Sequence, residues 1–232
     1  MRSLYIVAIS MLCVPLAAQG LNTDRPDQTE SAWTVPHNAL QIETGAALSS
    51  TGNNLTLNVL QNVWRYAPVP HLEARLVSGL HFSPNETKVP QSGFDDLEVG
   101  LKYQFVRGKT PMALLTHIIL PTSDDDSRVG AFWKVLWAHD LGPYLNVGCN
   151  VGLEVLKGRS PQYNYSLSVS MNLTEKLGYY LEPFGTLGDI HAWDTGLTCL
   201  VSPNVQLDFS LGFSLMSSYN YFAFGCSWRI PH

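Results

Sequence analysis

The chain has 232 residues, of which 45% are hydrophobic and 14% charged, with 14 Lys and Arg against 19 Asp and Glu for a net charge of −5. Aliphatic and aromatic residues are too plentiful for disorder, and the acidic balance leaves no basic footprint for nucleic acid. Beyond the N-terminus no stretch is apolar for long enough to make a membrane helix, so the chain is read as β-rich.

At the start, Arg2 precedes an apolar run from Leu4 to Pro15 and the small residues of Leu16-Ala17-Ala18-Gln19-Gly20. This is the layout of a secretory signal peptide over residues 1–20, cut after Ala18 or Gly20. Cys13 follows Leu12, which does not resemble a lipoprotein cleavage site. Export leaves Cys149, Cys199 and Cys226, an odd number at wide spacing. They read as small apolar fillers, with a bridge between two of them left open. No Cys/His cluster suggests zinc, and neither a metal nor a cofactor is expected. Residues 21–37 follow as a polar lead-in.

From residue 38 to 232 the pattern is period two. The expected strands, in order, are 39–48, 55–66, 72–82, 97–105, 112–120, 129–138, 145–153, 163–171, 178–186, 192–201, 205–213 and 222–230. The alternation is strict in six of them. Leu145, Val147, Cys149, Val151 and Leu153, for example, alternate with Asn146, Gly148, Asn150, Gly152 and Glu154. The continuous run from Met112 to Leu120 leaves its two faces ambiguous. Twelve strands over the exported residues leave roughly 18 residues for each strand with its connection, enough for a tilted membrane-crossing strand. Short turns at Ala67-Pro68-Val69-Pro70, Gly108-Lys109-Thr110-Pro111, Asp140-Leu141-Gly142-Pro143 and Ser202-Pro203-Asn204 alternate with longer polar loops such as Ser83 to Asp96 and Pro121 to Arg128.

Alternation alone does not say which face is wet. Long strands, a polar face of Asn, Ser, Gly and Gln, and aromatics near strand ends (Trp64, Tyr66, Phe105, Trp133, Trp137, Tyr144, Tyr163, Tyr219, Tyr221, Trp228) favour lipid on the apolar side. The fold class is therefore all-β: an antiparallel transmembrane β-barrel of about twelve strands in the bacterial outer membrane, with both termini periplasmic. Such a barrel must close, because hydrocarbon offers no partner to an open sheet edge.

Reading faces by parity places Glu43, Glu73, Arg75, Glu98, Lys102, Glu182, Asp194, Asp208 and Arg229 on the lumen side, where isolated charges must pair. They are candidates both for a bracing salt-bridge network and for a selective constriction. Arg75 beside Glu43 or Glu98 is a natural cross-strand pair. The charged segment Asp24, Arg25, Pro26, Asp27 to Glu30 is either a solvated lead-in or a partial plug, with Arg25 and Asp27 meeting lumen charges such as Arg229.

The opening Thr23-Asp24-Arg25-Pro26-Asp27-Gln28-Thr29-Glu30-Ser31, then Leu40-Gln41-Ile42-Glu43-Thr44-Gly45, Leu97-Glu98-Val99-Gly100-Leu101-Lys102-Tyr103 and Phe224-Gly225-Cys226-Ser227-Trp228-Arg229 resemble the outer-membrane transporter family named for the meta-pathway of phenol degradation. The resemblance covers essentially the whole exported chain and brings no catalytic residues. It implies an outer-membrane channel or transporter for small solutes, with apolar or aromatic compounds among them. The expected partners are outer-membrane lipid and a small-molecule solute, with a monomer favoured. Two alternatives are a structural or adhesive barrel that transports nothing and a lipid hydrolase. The latter would need a dyad such as His81 and Ser83, which parity turns toward the lumen, and no G-x-S-x-G elbow is present.

Overall fold

A computed structural model describes residues 21–83, 91–122, 129–188 and 191–230. The expected signal peptide, the acidic run Asp124-Asp125-Asp126 and the final Pro231-His232 lie outside the described residues. The strands are β1 (Leu40–Thr51), β2 (Asn54–Val69), β3 (Leu72–Ser83), β4 (Gln91–Phe94), β5 (Leu97–Val106), β6 (Met112–Leu120), β7 (Gly130–Asp140), β8 (Leu145–Leu156), β9 (Gln162–Asn172), β10 (Leu177–Thr186), β11 (His191–Ser202), β12 (Val205–Ser214) and β13 (Tyr219–Ile230). No helix among the described residues is long and apolar enough to cross a membrane; the crossing elements are strands.

Every neighbouring pair is antiparallel, and β1 pairs with both β2 and β13, from Leu40↔Ile230 to Thr51↔Tyr219. The sheet therefore closes on itself and leaves no edge for lipid to meet. β4 is a four-residue piece that pairs with the far half of β3 (Leu80↔Phe94 to Ser83↔Gln91), while β5 pairs with its near half (Leu72↔Tyr103 to Val77↔Glu98). Together they fill one position, so the barrel has twelve positions, as the alternation predicts. The connections at the end beside Leu40 and Ile230, the turn end, are short, and the two longest, 84–90 and 121–129, lie at the other, the loop end, which also carries the tight β1–β2 turn between Thr51 and Asn54.

The faces are inverted relative to a water-soluble barrel. Leu101, Ile118, Val151 and Phe224 are 49 to 58% exposed on the outer wall, whereas Glu73, Lys102, Glu182 and Asp194 on the inner wall are 0% exposed. Exposed aromatics stand at both rims: Tyr66, Tyr103 and Tyr144 at the turn end, Phe82, Trp133 and Tyr163 at the loop end. Tyr221 departs from the expected girdle. It turns inward and is 8% exposed, because it shares the parity of Ala223 and Ser227. The ambiguous run of β6 resolves with Ala113, Leu115, His117 and Ile119 inside and Leu114, Ile118 and Leu120 outside. Cys149, Cys199 and Cys226 are free thiols.

One strand breaks the alternation. In β2, Leu60 adopts a left-handed φ of 50°, and the register with β3 slips between Val59 and Asn62. Leu55 and Leu57 face outward before this bulge and Trp64 and Tyr66 after it, so odd positions change side. That slip is what carries Arg65 into the lumen. Elsewhere bulky inner side chains lie over glycines of the adjacent strand. A Cβ on Gly196 would stand 2.2 Å from the Phe209 carbonyl oxygen and 2.6 Å from Tyr180 Cε1, and the backbone atom cannot swing aside. Gly196→Val should therefore destabilise the barrel by about 1–3 kcal/mol, measured by urea unfolding of the lipid-embedded protein.

Candidate functional site

Residues 22–35 have no regular secondary structure, and they run through the barrel interior bonded to its walls. On one side the contacts are ionic. Asp24 sits against Arg75 Nη1 at 2.6 Å, Lys102 Nζ at 3.1 Å and Arg65 Nη1 at 3.4 Å, and accepts from the Ser31 amide at 2.8 Å. Arg65, brought inward by the bulge, also pairs with Glu43 at 2.6 Å and Glu73 at 2.9 Å. Glu43 in turn accepts from the amides of Asp24 and Arg25, and Glu73 from the amide of Val35. Glu30 lies between Lys134 Nζ at 2.7 Å and Arg75 Nη2 at 3.1 Å. Arg25 crosses to Asp208 at 3.3 Å, packed over Gly45 and Gly225, where any Cβ would strike its guanidinium.

Charge accounts for this arrangement. Arg65, Arg75, Lys102 and Lys134 on the wall face only two wall carboxylates within the same network, Glu43 and Glu73. Asp24 and Glu30 supply the other two negative charges. Burial pushes both carboxyls up, yet the surrounding cations outweigh it: Arg65, Lys102 and Arg75 hold Asp24 well below the usual carboxylate range, and Lys134 and Arg75 hold Glu30 down to about 2.

The opposite wall is acidic. Glu182 accepts from the amides of Gln28 and Thr29 and from Thr29 Oγ1 at 2.6 Å. Tyr180 donates to Asp194 at 2.9 Å, and Gln28 Nε2 donates to Tyr221 at 3.1 Å. Burial first, then the charges of Glu182 and Asp194, push the Asp27 carboxyl up. Between these walls the inner face of β6 and β7 carries an apolar patch, with Leu115, Leu136, Ala113 and Ala138 packed against Ala32 of the segment and Phe132 beside them.

The structure thus brings Glu43, Glu73, Arg75, Lys102, Glu182 and Asp208 into contact with the N-terminal segment, and Asp194 lies beside them. Two pairings differ from expectation. Arg75 reaches the segment and not a neighbouring-strand carboxylate, because Arg65 already occupies Glu43, while Glu98 accepts from or shares a proton with His117 Nδ1 at 2.6 Å. Arg229 stays at the turn-end rim, donating to Asn204 Oδ1 at 3.0 Å, so Arg25 meets Asp208 instead. His81 bonds Asp95 and Ser83 bonds Thr56, each separately. Arg65, Lys134, His117, Tyr180 and Tyr221 were not among the expected lumen residues. Parity within β10 and β13 would have found the tyrosines, whereas the bulge hides Arg65. Among the described residues no group of three or more His, Cys, Asp or Glu is arranged to hold a metal ion.

The family model described as "Putative MetA-pathway of phenol degradation" matches residues 23–230, from the segment inside the barrel to the last strand. The chain belongs to this family. No curated protein matches it. Among solved structures, an outer-membrane channel of Pseudomonas putida F1 is similar at 12% identity and a TM-score of 0.63, over 85% of this chain and 97% of that one. The KdgM porin, solved in complex with disordered oligogalacturonate, is similar at 8% identity and a TM-score of 0.59, over 83% of this chain and 99% of the porin. The fold is that of an outer-membrane β-barrel of the channel and porin type, and the protein resides in the outer membrane.

Two outcomes test this network. Arg65→Met leaves Glu43 and Glu73 buried without their main cation and should cost about 3–5 kcal/mol of stability, read as a lowered urea midpoint. The second concerns pH. Asp24 and Glu30 have depressed pKa values when seated, so their contribution to seating is complete above the free carboxyl value of 4.5 and lost as pH falls toward about 2. Asp27, raised when seated, opposes seating at every pH above its free value of 3.8 and has no effect well below it, so the loss of the Asp24 and Glu30 contacts is unopposed only below that value. Single-channel current should therefore rise as pH is lowered from 3.8 to about 2.

Proposed function

We propose that this protein is an outer-membrane channel for small solutes whose lumen is narrowed by residues 21–37, with the turn end and both termini on the periplasmic side. The observation that carries this reading is a pair of cavities on either side of the segment. A cavity of about 300 Å³ lies toward the turn end, bordered by Trp137, Gly148, Ser168 and Tyr180. Another of about 220 Å³ lies toward the loop end, bordered by Phe132, Asn150, Ser166 and Phe184. Both border β7 to β10, and at the level that divides them stand Gln28 and Thr29, with Thr29 bonded to Ser166 at 2.8 Å. The wall here is made of small polar side chains, so only a short stretch of backbone separates two spaces that fit a small molecule.

The solute class follows from the lining and the family. Phe132 and Phe184 give the loop-side cavity an apolar aspect, which suits the phenol-degradation connection in the family description. The nine lumen residues read from parity serve in this proposal as the seat of the segment and the charge lining of the passage. A hydrolase acting on lipid is the weaker reading, because His81 and Ser83 face the lumen and each is bonded to another partner. A monomer is proposed, since the barrel closes within one chain.

The test is single-channel recording of the refolded protein in a planar bilayer. Discrete steps are expected from the intact chain. Deleting residues 21–31 should raise the step size several-fold. No conductance from a folded barrel would overturn the channel, and an unchanged step after the deletion would overturn the narrowing.

A further inference from the structure

The pair of cations around Glu30 faces a space whose wall is apolar in part, at Val63, Val77 and Phe132. A cavity of about 270 Å³ lies over residues 24–30 toward the loop end, bordered by Arg75, Lys134, Val63, Val77, Phe132 and His117. Glu30 closes its floor, with Lys134 Nζ at 2.7 Å and Arg75 Nη2 at 3.1 Å on its two carboxylate oxygens. Lys134 Nζ also stands 5.1 Å from the centroid of the Phe132 ring. One end of this space therefore offers a guanidinium and an ammonium, and the walls offer two valines and a phenyl ring.

We infer that this cavity is a binding site for a small organic carboxylate with an apolar body, and that Glu30 is the chain's own occupant of its anion-binding end. Several observations support this. Glu30 belongs to an irregular segment and not to the barrel sheet, so it can leave without breaking a strand. Its side chain is 13% exposed, against 4% for Asp24 deeper in the network, which makes it the carboxylate that an entering solute meets. Arg75 is 3% exposed, and its Nε is buried with no acceptor. A guanidinium with a donor unused is a site that its present partner does not fill. Three other carboxylates border the cavity: Asp24, already held by Arg75, Lys102 and Arg65; Glu98, held by His117 Nδ1 at 2.6 Å; and Asp27, whose carboxyl is pushed up by burial. The inference rests on the channel reading and names a solute class for it.

Binding is measured by calorimetry on the refolded full chain in detergent, with benzoate as probe and phenol as the uncharged control. Since self-occupancy lowers apparent affinity by the fraction of empty sites, Glu30→Gln should bind benzoate about tenfold more tightly than the wild type, with phenol unchanged. Adding Lys134→Gln should abolish the gain. Equal benzoate affinity in the wild type and Glu30→Gln, or an equal gain for phenol, overturns the inference. Heat-dependent gel mobility checks that each variant is folded. The wild type supplies a second measurement: benzoate should slow acylation of Lys134, followed by peptide mass, and phenol should not. Absence of that protection overturns the inference with no variant needed. Binding is read without conduction. A channel that conducts but fails to bind therefore overturns this inference alone, and binding without conduction overturns the channel alone.

Discussion

The Asp24 carboxylate is the contact on which the interior depends. It meets Arg65, Arg75 and Lys102 together, each of them almost wholly removed from solvent. A charge in such a place is tolerated only when paired, and the barrel wall by itself is two carboxylates short in this sector. The N-terminal segment completes the pairing. The cations need its acidic side chains, and Glu43, Glu73 and Glu182 accept its otherwise unpaired amides. The segment has no secondary structure of its own, so its backbone donors would be orphaned without those wall carboxylates. Wall and segment satisfy one another, which explains how an irregular stretch holds a defined course through the lumen.

The same accounting sets the exterior. Lipid offers no hydrogen bond, so β1 must pair with β13, and every charge on the strands must turn inward. The outer wall of Leu, Val, Ile and Phe is what remains. Charge density and apolar exposure are thus two consequences of one sheet closing in hydrocarbon.

Much of this was legible in the sequence. The twelve strands follow from period two, and parity alone turns Glu73, Lys102, Glu182, Asp194 and Asp208 inward. What parity cannot supply is a position where it breaks. The bulge at Leu60 has no glycine or proline to announce it, so the side of Arg65 was hidden, and with it the reason Arg75 is free to reach Asp24 and Glu30. Nor does strand patterning say which inner charges meet across the lumen. Those distances depend on the path of a segment that is neither strand nor helix. The dense charge of Asp24 to Glu30 hinted at a partner. Which charges each residue meets required the geometry, since Arg25 passes Arg229 and finds Asp208.

The interior is also unequal around its circumference, and that inequality bears on transport. The sector of β2, β3, β5 and β7 grips the segment through ion pairs, whereas the sector of β9 and β10 holds it through two amides and the hydroxyl of Thr29 on Glu182 and Ser166. Removing Thr29 from its seat breaks neutral donors against a carboxylate; removing Asp24 takes a shared carboxylate from three buried cations at once. The ionic contacts therefore hold the segment more firmly than the contacts of Gln28 and Thr29 do, and those weaker contacts stand where the two cavities approach one another. The charge network fixes the course of the segment, and the small polar wall of β8 to β10 is where the interior is least filled.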